Sequence, residues 1–357
     1  MKKIVIACDS YKGCLSSSEV SDAVAEGVSE AYPDCEVVRL AVADGGEGTV
    51  EALVDTLGGH LEWAEVSDPL GRPVRAAYGV AGDLAIIESA AACGLTLLSK
   101  EERNPLIATT KGLGELILAA VDKGCRRFLI GLGGSATNDG GMGMIGAEGF
   151  LEKTRGLQFT IACDVDTPYI GKNGASRVFG PQKGASVQDV EVLEERLRGY
   201  ALKISEDTGI DVSDMPGAGA AGGLGGAFRA YLGAELKRGV DLVLDQIGFD
   251  SVIAGADLVI TGEGCSDYQT LKGKTAAGVL ERAERLNIPV ALVSGAVRDE
   301  KMLRDRGFRI VWAVTPPAMS LEEAMRPETA KHLVAVATRN ILHQFCIYYL
   351  VLHMRNH

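Results

Sequence analysis

Short apolar runs bounded by glycine or aspartate recur along the chain, at residues 3–7, 36–42, 84–87, 127–132, 159–163, 257–261, 289–294 and 309–314. Most are continuous rather than alternating, the pattern of a strand covered on both faces. Helical patterns separate several of them. Residues 16–31 open on the capping box Ser16-Ser17-Ser18-Glu19 and carry Val20, Val24, Val28 and Ala31 along one face. Residues 110–122, 189–206 and 276–286 repeat apolar side chains at spacings of three and four. Strand alternating with helix predicts an α/β fold with a largely parallel sheet. At 357 residues the chain has room for two domains. Linkers are expected at 67–73, Ser-Asp-Pro-Leu-Gly-Arg-Pro, and in the glycine-dense stretch Met215–Gly226.

Charge narrows the choice of ligand. The net charge is −12, from 36 basic and 48 acidic side chains, which argues against nucleic acid or an anionic membrane as the main partner. An anionic ligand must then be met by positive charge gathered locally or by a metal ion. The eight cysteines form no CxxC pair, so zinc ribbons and redox dithiols are unsupported and free thiols in a reducing cytosol are expected. The N-terminal apolar run is too short for a signal peptide and reads as a first strand. No segment approaches the ~20 apolar residues of a membrane span, and the apolar tail 345–352 is too short to cross a bilayer.

In α/β sheets, ligands bind beyond the carboxyl ends of the strands. Four of those ends carry a carboxylate near glycine or a second acidic residue: Asp9 before Ser10-Tyr11-Lys12-Gly13, Asp44 before Gly45-Gly46-Glu47-Gly48, Asp164 with Asp166, and Glu263 between Gly262 and Gly264. One alone reads as a loop start or helix cap. Four together point to a site, and carboxylates beside phosphate commonly hold Mg²⁺. Gly131-Leu132-Gly133-Gly134-Ser135-Ala136 matches G-x-G-x-x-A behind a strand, but the acidic residue expected about 20 positions on is missing. A nicotinamide cofactor is therefore weakly supported. Gly273-Lys274-Thr275 stands at a helix start, although Tyr268 occupies the position of the leading glycine of a phosphate loop. There is no G-x-S-x-G, and no histidine lies inside a glycine-rich motif, which argues against a Ser-His triad or a histidine metal site. A general base must then be a carboxylate or a lysine. Phosphoryl transfer suits that restriction, because it depends on positioning and charge neutralisation. Lys12, Lys183 and Lys274 are the cations inside the motifs.

Taken in order, these blocks resemble the type I glycerate kinases from Met1 to about Asn340. The resemblance rests on Asp9-Ser10-Tyr11-Lys12-Gly13, the segments 43–49 and 133–141, and Cys163-Asp164-Val165-Asp166. It also rests on Phe179-Gly180-Pro181-Gln182-Lys183-Gly184, the segment 216–223 and Thr261-Gly262-Glu263-Gly264. It implies two α/β domains, a Rossmann-like parallel-sheet domain (1–66 and 261–357) with a second α/β domain (67–260) inserted into it and the active site in the cleft. It further implies a cytoplasmic enzyme of sugar-acid or glyoxylate catabolism that uses ATP and Mg²⁺ to phosphorylate D-glycerate, with 2-phosphoglycerate the favoured product.

Residues and resemblance together give Asp9, Lys12, Asp44, Asp164, Asp166 and Lys183 as catalytic candidates. Gly133, Gly134, Ser135, Asn138, Glu263, Gln269, Thr270 and Lys274 are expected around the nucleotide, with Asn138-Asp139 orienting the ligand. Asp44, Asp166, Glu263 and Asp267 form the pool for the metal. Which carboxylate is the base stays open, and sequence sets no oligomeric state. Three features depart from the family: Cys265 where an arginine is usual, a short connection 151–159, and an aromatic tail after Asn340. They leave open a second reading, a catalytically impaired nucleotide- or glycerate-binding relative.

Overall fold

The computed structural model describes residues 1–46 and 48–355, with side chains through Ile347. Glu47 of the second acidic strand end and the tail side chains from Tyr348 onward lie outside the described residues. The chain divides into two compact units, Met1–Asp44 with Val243–His357, and Gly45–Leu242. Its strands are β1 (Lys3–Cys8), β2 (Glu36–Ala41), β3 (His60–Ser67), β4 (Pro73–Ala81), β5 (Leu84–Glu88) and β6 (Arg127–Gly131). They continue as β7 (Gln158–Ala162), β8 (Glu235–Lys237), β9 (Leu258–Ser266), β10 (Val290–Val297) and β11 (Ile310–Ala313).

The unit built from both ends of the chain holds a parallel sheet in the order β2-β1-β9-β10-β11. Counted within this unit the order is 2-1-3-4-5, the doubly wound arrangement whose direction reverses between β1 and β9. The continuous run of β1 follows from burial on both faces. Ile4, Ile6 and Cys8 pack with Val20, Val24 and Val28 of the helix Ser17–Ala31 and with Val334 and Ile341 of the helix Pro327–Arg355. Val5 and Ala7 alternate to the opposite face, where the helix Thr275–Arg285 meets β1, β9 and β10. Ile4 through Cys8 are fully buried, and each such aliphatic side chain contributes roughly 1.5–3 kcal/mol of transfer free energy. The capping box at Ser16 is present: its side chain accepts from Glu19 N, and Glu19 accepts from Ser16 N.

The start of the tail, which the sequence reading sets apart from the family, is part of this core. The last helix runs without a break through Asn340, and Ile341, Leu342 and Phe345 are buried against β1's neighbours.

The second unit contains a sheet in the order β3-β4-β5-β6-β7-β8, antiparallel across β3, β4 and β5 and parallel from β5 to β8. The hairpin β3–β4 is absent from the expected strands, because β3 is largely exposed and offers no apolar run. The expected linker at 67–73 is the turn of that hairpin. Asp68 N donates to Arg72 O at 2.7 Å, and Asp68 Oδ1 accepts from Leu70 N at 2.8 Å and Arg72 N at 2.9 Å. The second expected linker is packed interior: from Gly217 to Gly226 every residue but Ala221 is buried. Gly222 has φ +73°, and a Cβ there would lie 2.1 Å from Thr137 O. The unit boundaries therefore fall at 44/45 and 242/243, where the sequence reading set 66/67 and 260/261. Residues 243–260 stay with the first unit partly because Lys3 Nζ donates to Val252 O at 2.7 Å.

Candidate active site

In the first unit the reversal of strand order places the loop after β1 beside the end of β9. Asp9 N donates to Gly262 O at 2.9 Å, tying the two ends together. A cavity of about 480 Å³ lies here, lined on its polar side by Asp9, Lys12, Asp44, Glu263, Cys265 and Lys274. Ligand pockets run from about 300 to 1,000 Å³.

Asp9 is 7% exposed. Its Oδ1 accepts from Ser10 N at 2.7 Å and its Oδ2 from the Thr275 hydroxyl at 2.6 Å. Burial pushes its pKa up to about 6, the Thr275 hydrogen bond works against that, Asp44 adds to it, and Ser10 and Lys12 oppose it. A carboxyl group tuned toward neutrality in the lining of a cavity suits proton transfer.

Glu263 is held by hydroxyls. Its Oε1 accepts from Thr270 Oγ1 at 2.6 Å and Ser266 Oγ at 3.0 Å. Thr270 Oγ1 itself accepts from Asp267 N at 3.0 Å. Ser266 has a single proton, already directed at Glu263, so in its 2.7 Å contact with Ser294 Oγ the Ser294 hydroxyl is the donor. Oε2 is left for Lys274, whose Nζ lies 3.5 Å away. Lys274 caps the helix Thr275–Arg285, where backbone N–H groups favour negative charge.

Several expected site residues are placed differently. Thr270 is completely buried, and its hydroxyl donates to Glu263. Gln269 is exposed, with its N–H on Asp267 Oδ1 at 2.8 Å. Neither Gln269 nor Asp267 lines the cavity. Of the metal pool, Asp44 and Glu263 share the cavity, whereas Asp166 belongs to the other unit and is exposed. Among the described residues no three His, Cys, Asp or Glu side chains gather as a metal cage. Mg²⁺ bound beside a phosphate needs only one or two carboxylates, a number that Asp44 and Glu263, both in the cavity lining, can supply.

In the second unit the glycine-rich segment follows β6. Gly133 and Gly134 are exposed, while Ser135 through Gly140 are buried. Lys183, expected as a catalytic cation, is 2% exposed and donates to Ser135 Oγ at 2.8 Å and Thr137 O at 2.6 Å. Burial lowers its pKa to about 8, with Cys93 and Asp139 acting in the opposite direction. Its ammonium thus holds the underside of the segment. Asp139, expected to orient a ligand, accepts from Thr110 N, Thr110 Oγ1, Gly141 N and Gly143 N at 2.8–3.1 Å. These bonds tie the segment to the helix Lys111–Asp122 and its N-cap. Asn138 donates from Nδ2 to Ser176 Oγ at 3.0 Å, and its buried Oδ1 has no protein partner. Asp164 accepts from Gly239 N at 2.9 Å. Asp164 and Asp166 are both exposed.

The sequence reading names Thr275 only as part of a helix start, and misses its hydroxyl on Asp9 and that of Ser266, backed by Ser294, on Glu263. Their only signal is position, at a strand's carboxyl end or a helix start, where Ser and Thr are also ordinary caps.

Comparison with known proteins fits this geometry. The model of the glycerate kinase family matches residues 4–156 and 147–346. The chain is 43% identical over 353 residues to the glycerate kinase of Bacillus subtilis (strain 168), covering 90% of this chain and 92% of that protein. It is 42% identical over 370 residues to the glycerate 2-kinase of Escherichia coli (strain K12), covering 95% and 97%. A crystal structure assigned as glycerate kinase 2 from Salmonella typhimurium LT2 superposes with a TM-score of 0.87 at 42% identity, over 98% of this chain and 99% of that one.

Proposed function

The chain belongs to the glycerate kinase family of phosphotransferases, and we propose that it is an ATP-dependent D-glycerate kinase that forms 2-phosphoglycerate. The observation that carries this reading is the cavity at the β1/β9 reversal, which combines a carboxyl group of raised pKa, a clamped carboxylate and two lysines. The name of the E. coli relative, a glycerate 2-kinase, supports transfer to the 2-hydroxyl. A cytoplasmic role in sugar-acid or glyoxylate catabolism accords with that family.

In this reading Asp9 accepts the proton of the attacking hydroxyl late in transfer, a role a weak base can fill. Lys12 and Lys274 offset phosphate charge, and Lys274 is steered by Glu263. Asp44 and Glu263 would hold Mg²⁺, which when bound neutralises charge developing on the transferring phosphoryl group. Within the second unit, Gly133, Gly134, Ser135 and Asn138 are kept as candidate ligand contacts in their own right, with Lys183 fixing their loop from below.

A coupled ADP-release assay with D-glycerate, Mg²⁺ and ATP tests the proposal, and NMR of the product identifies the hydroxyl. ADP release no faster than the ATP-only blank would overturn it. Because Cys265 lines the cavity where the family carries an arginine, a second reading is an impaired relative. That reading predicts calorimetric binding of ATP or glycerate without product.

A further inference from the structure

The cavity of the first unit is lined by two chemically distinct sets of side chains. One is Lys12 and Lys274 with the carboxylates; the other is apolar, Val314, Met319, Leu321, Ala324 and Met325. We propose that this cavity is the nucleotide site, with the base of a nucleoside triphosphate against the methionines and its phosphates at Lys12 and Lys274. The inference rests on the kinase reading and decides which of its two substrates the cavity takes.

Size and polarity separate the candidates. Glycerate is a small hydroxy acid in which every carbon bears oxygen, so it has no apolar body to bury. At about 480 Å³ the cavity falls in the range of drug-sized ligands, far more room than glycerate fills. A nucleoside triphosphate has both parts the cavity asks for, a flat and largely apolar ring system and a polyanionic chain. Methionine is an adaptable surface for such a ring, since its thioether is polarizable and its side chain unbranched. Two cations in the same lining and the N-terminus of the 11-residue helix Thr275–Arg285 favour anionic oxygens. Met325 and Leu321 are 37% and 71% exposed. That exposure is not required by the core of the unit, and a bound base would cover part of it.

The test is isothermal calorimetry with ATP, adenosine and inorganic tripolyphosphate on the full chain and on a Met319→Asn/Met325→Asn double variant. The half-buried or exposed positions make folding of the variant tractable, and the single exposed change Leu321→Asn serves as a second variant. We expect the double variant to weaken ATP and adenosine at least ~10-fold while changing tripolyphosphate less than ~2-fold, a separation of about 1.4 kcal/mol. The KM for D-glycerate at saturating ATP should stay within ~2-fold. Wild-type protein that binds ATP, loses it in the variants, yet releases no ADP with glycerate supports the site and removes the kinase reading instead. An active enzyme whose variants keep ATP affinity but raise the KM for glycerate overturns the assignment. So does wild-type protein with no measurable affinity for ATP.

Discussion

Asp9 and Asp139 both follow a buried parallel strand, and their surroundings give them opposite tasks. Asp139 accepts four short hydrogen bonds from the segments it joins, so its charge is matched by protein donors inside the second unit. Asp9 accepts two, lines a cavity and stands near a second acid, and burial raises its pKa to about 6. A fully satisfied carboxylate locks a fold, while an under-satisfied one costs stability and keeps reactivity. The same contrast separates the two lysines named with them. Lys183 is bonded to the underside of its loop, whereas Lys274 is 38% exposed at a cavity wall.

The largest effect expected from this contrast is at Asp9. Asp9→Asn should lower kcat by roughly 10²–10⁴ if the carboxylate is the base, without lowering the thermal midpoint. The sign for stability follows from the raised pKa. The folded state favours protonated Asp9, so its contribution is full below the ordinary value of 3.8 and is lost as pH rises through about 6. At neutral pH the ionised group is a net cost that asparagine removes. A variant of normal rate, or one that unfolds well below wild type, would break the comparison from the Asp9 side.

Asp139→Asn tests the other side. The amide keeps one acceptor oxygen in place of two and sets an NH₂ against buried N–H donors. Each buried donor left unpaired costs about 1–3 kcal/mol, so a loss of several kcal/mol is expected in urea unfolding. An unfolding midpoint equal to that of wild type would show that Asp139 does not lock the segment.

How far sequence alone carries follows the same line. The continuous runs that became β1, β6, β9 and β10 were legible because burial on both faces leaves an uninterrupted apolar signature. The hairpin β3–β4 was not, since its turn looks like a linker and β3 is largely exposed. At the site, Asp9, Glu263 and Lys274 were legible as chemistry at strand and helix ends, and the cavity gathers them. The inward roles of Lys183, Thr270 and Asp139 were not. A motif gives residue type and spacing, but the direction in which a polar group is satisfied depends on partners 29 to 48 residues away for Asp139 and Lys183. Gly222 makes the same point, because its need for glycine comes from Thr137 O across the fold.

Lys183 gives a smaller, pH-dependent effect. Its pKa in the folded chain, about 8, lies below the ordinary 10.5, so the fold favours the neutral amine. Stability from this group is present above 10.5 and is lost as pH falls through about 8. Wild-type stability should therefore contain a component that rises between those values and vanishes in Lys183→Met. The substitution also strips donors from Ser135 Oγ and Thr137 O, at a cost of about 1–3 kcal/mol. Equal pH slopes for the two proteins in that window would show that Lys183 is not the buried cation described here.

The smallest effect sharpens the account of Asp9 itself. Thr275 donates at 2.6 Å to Asp9 Oδ2, and that bond is what most opposes the rise of the Asp9 pKa. Thr275→Val keeps the shape and removes the hydroxyl, so the acid limb of kcat/KM, expected near pH 6 in the wild type, should move upward. Thr275→Ser should restore it, because the hydroxyl and its donor geometry return. If Thr275 only capped its helix, both variants would change stability and leave the limb in place. A limb that stays near 6 in Thr275→Val therefore removes Thr275 as the positioning residue of the base. A limb that shifts in Val and returns in Ser ties the pH profile to Asp9, and through it to the reversal of strand order that brings β1 beside β9.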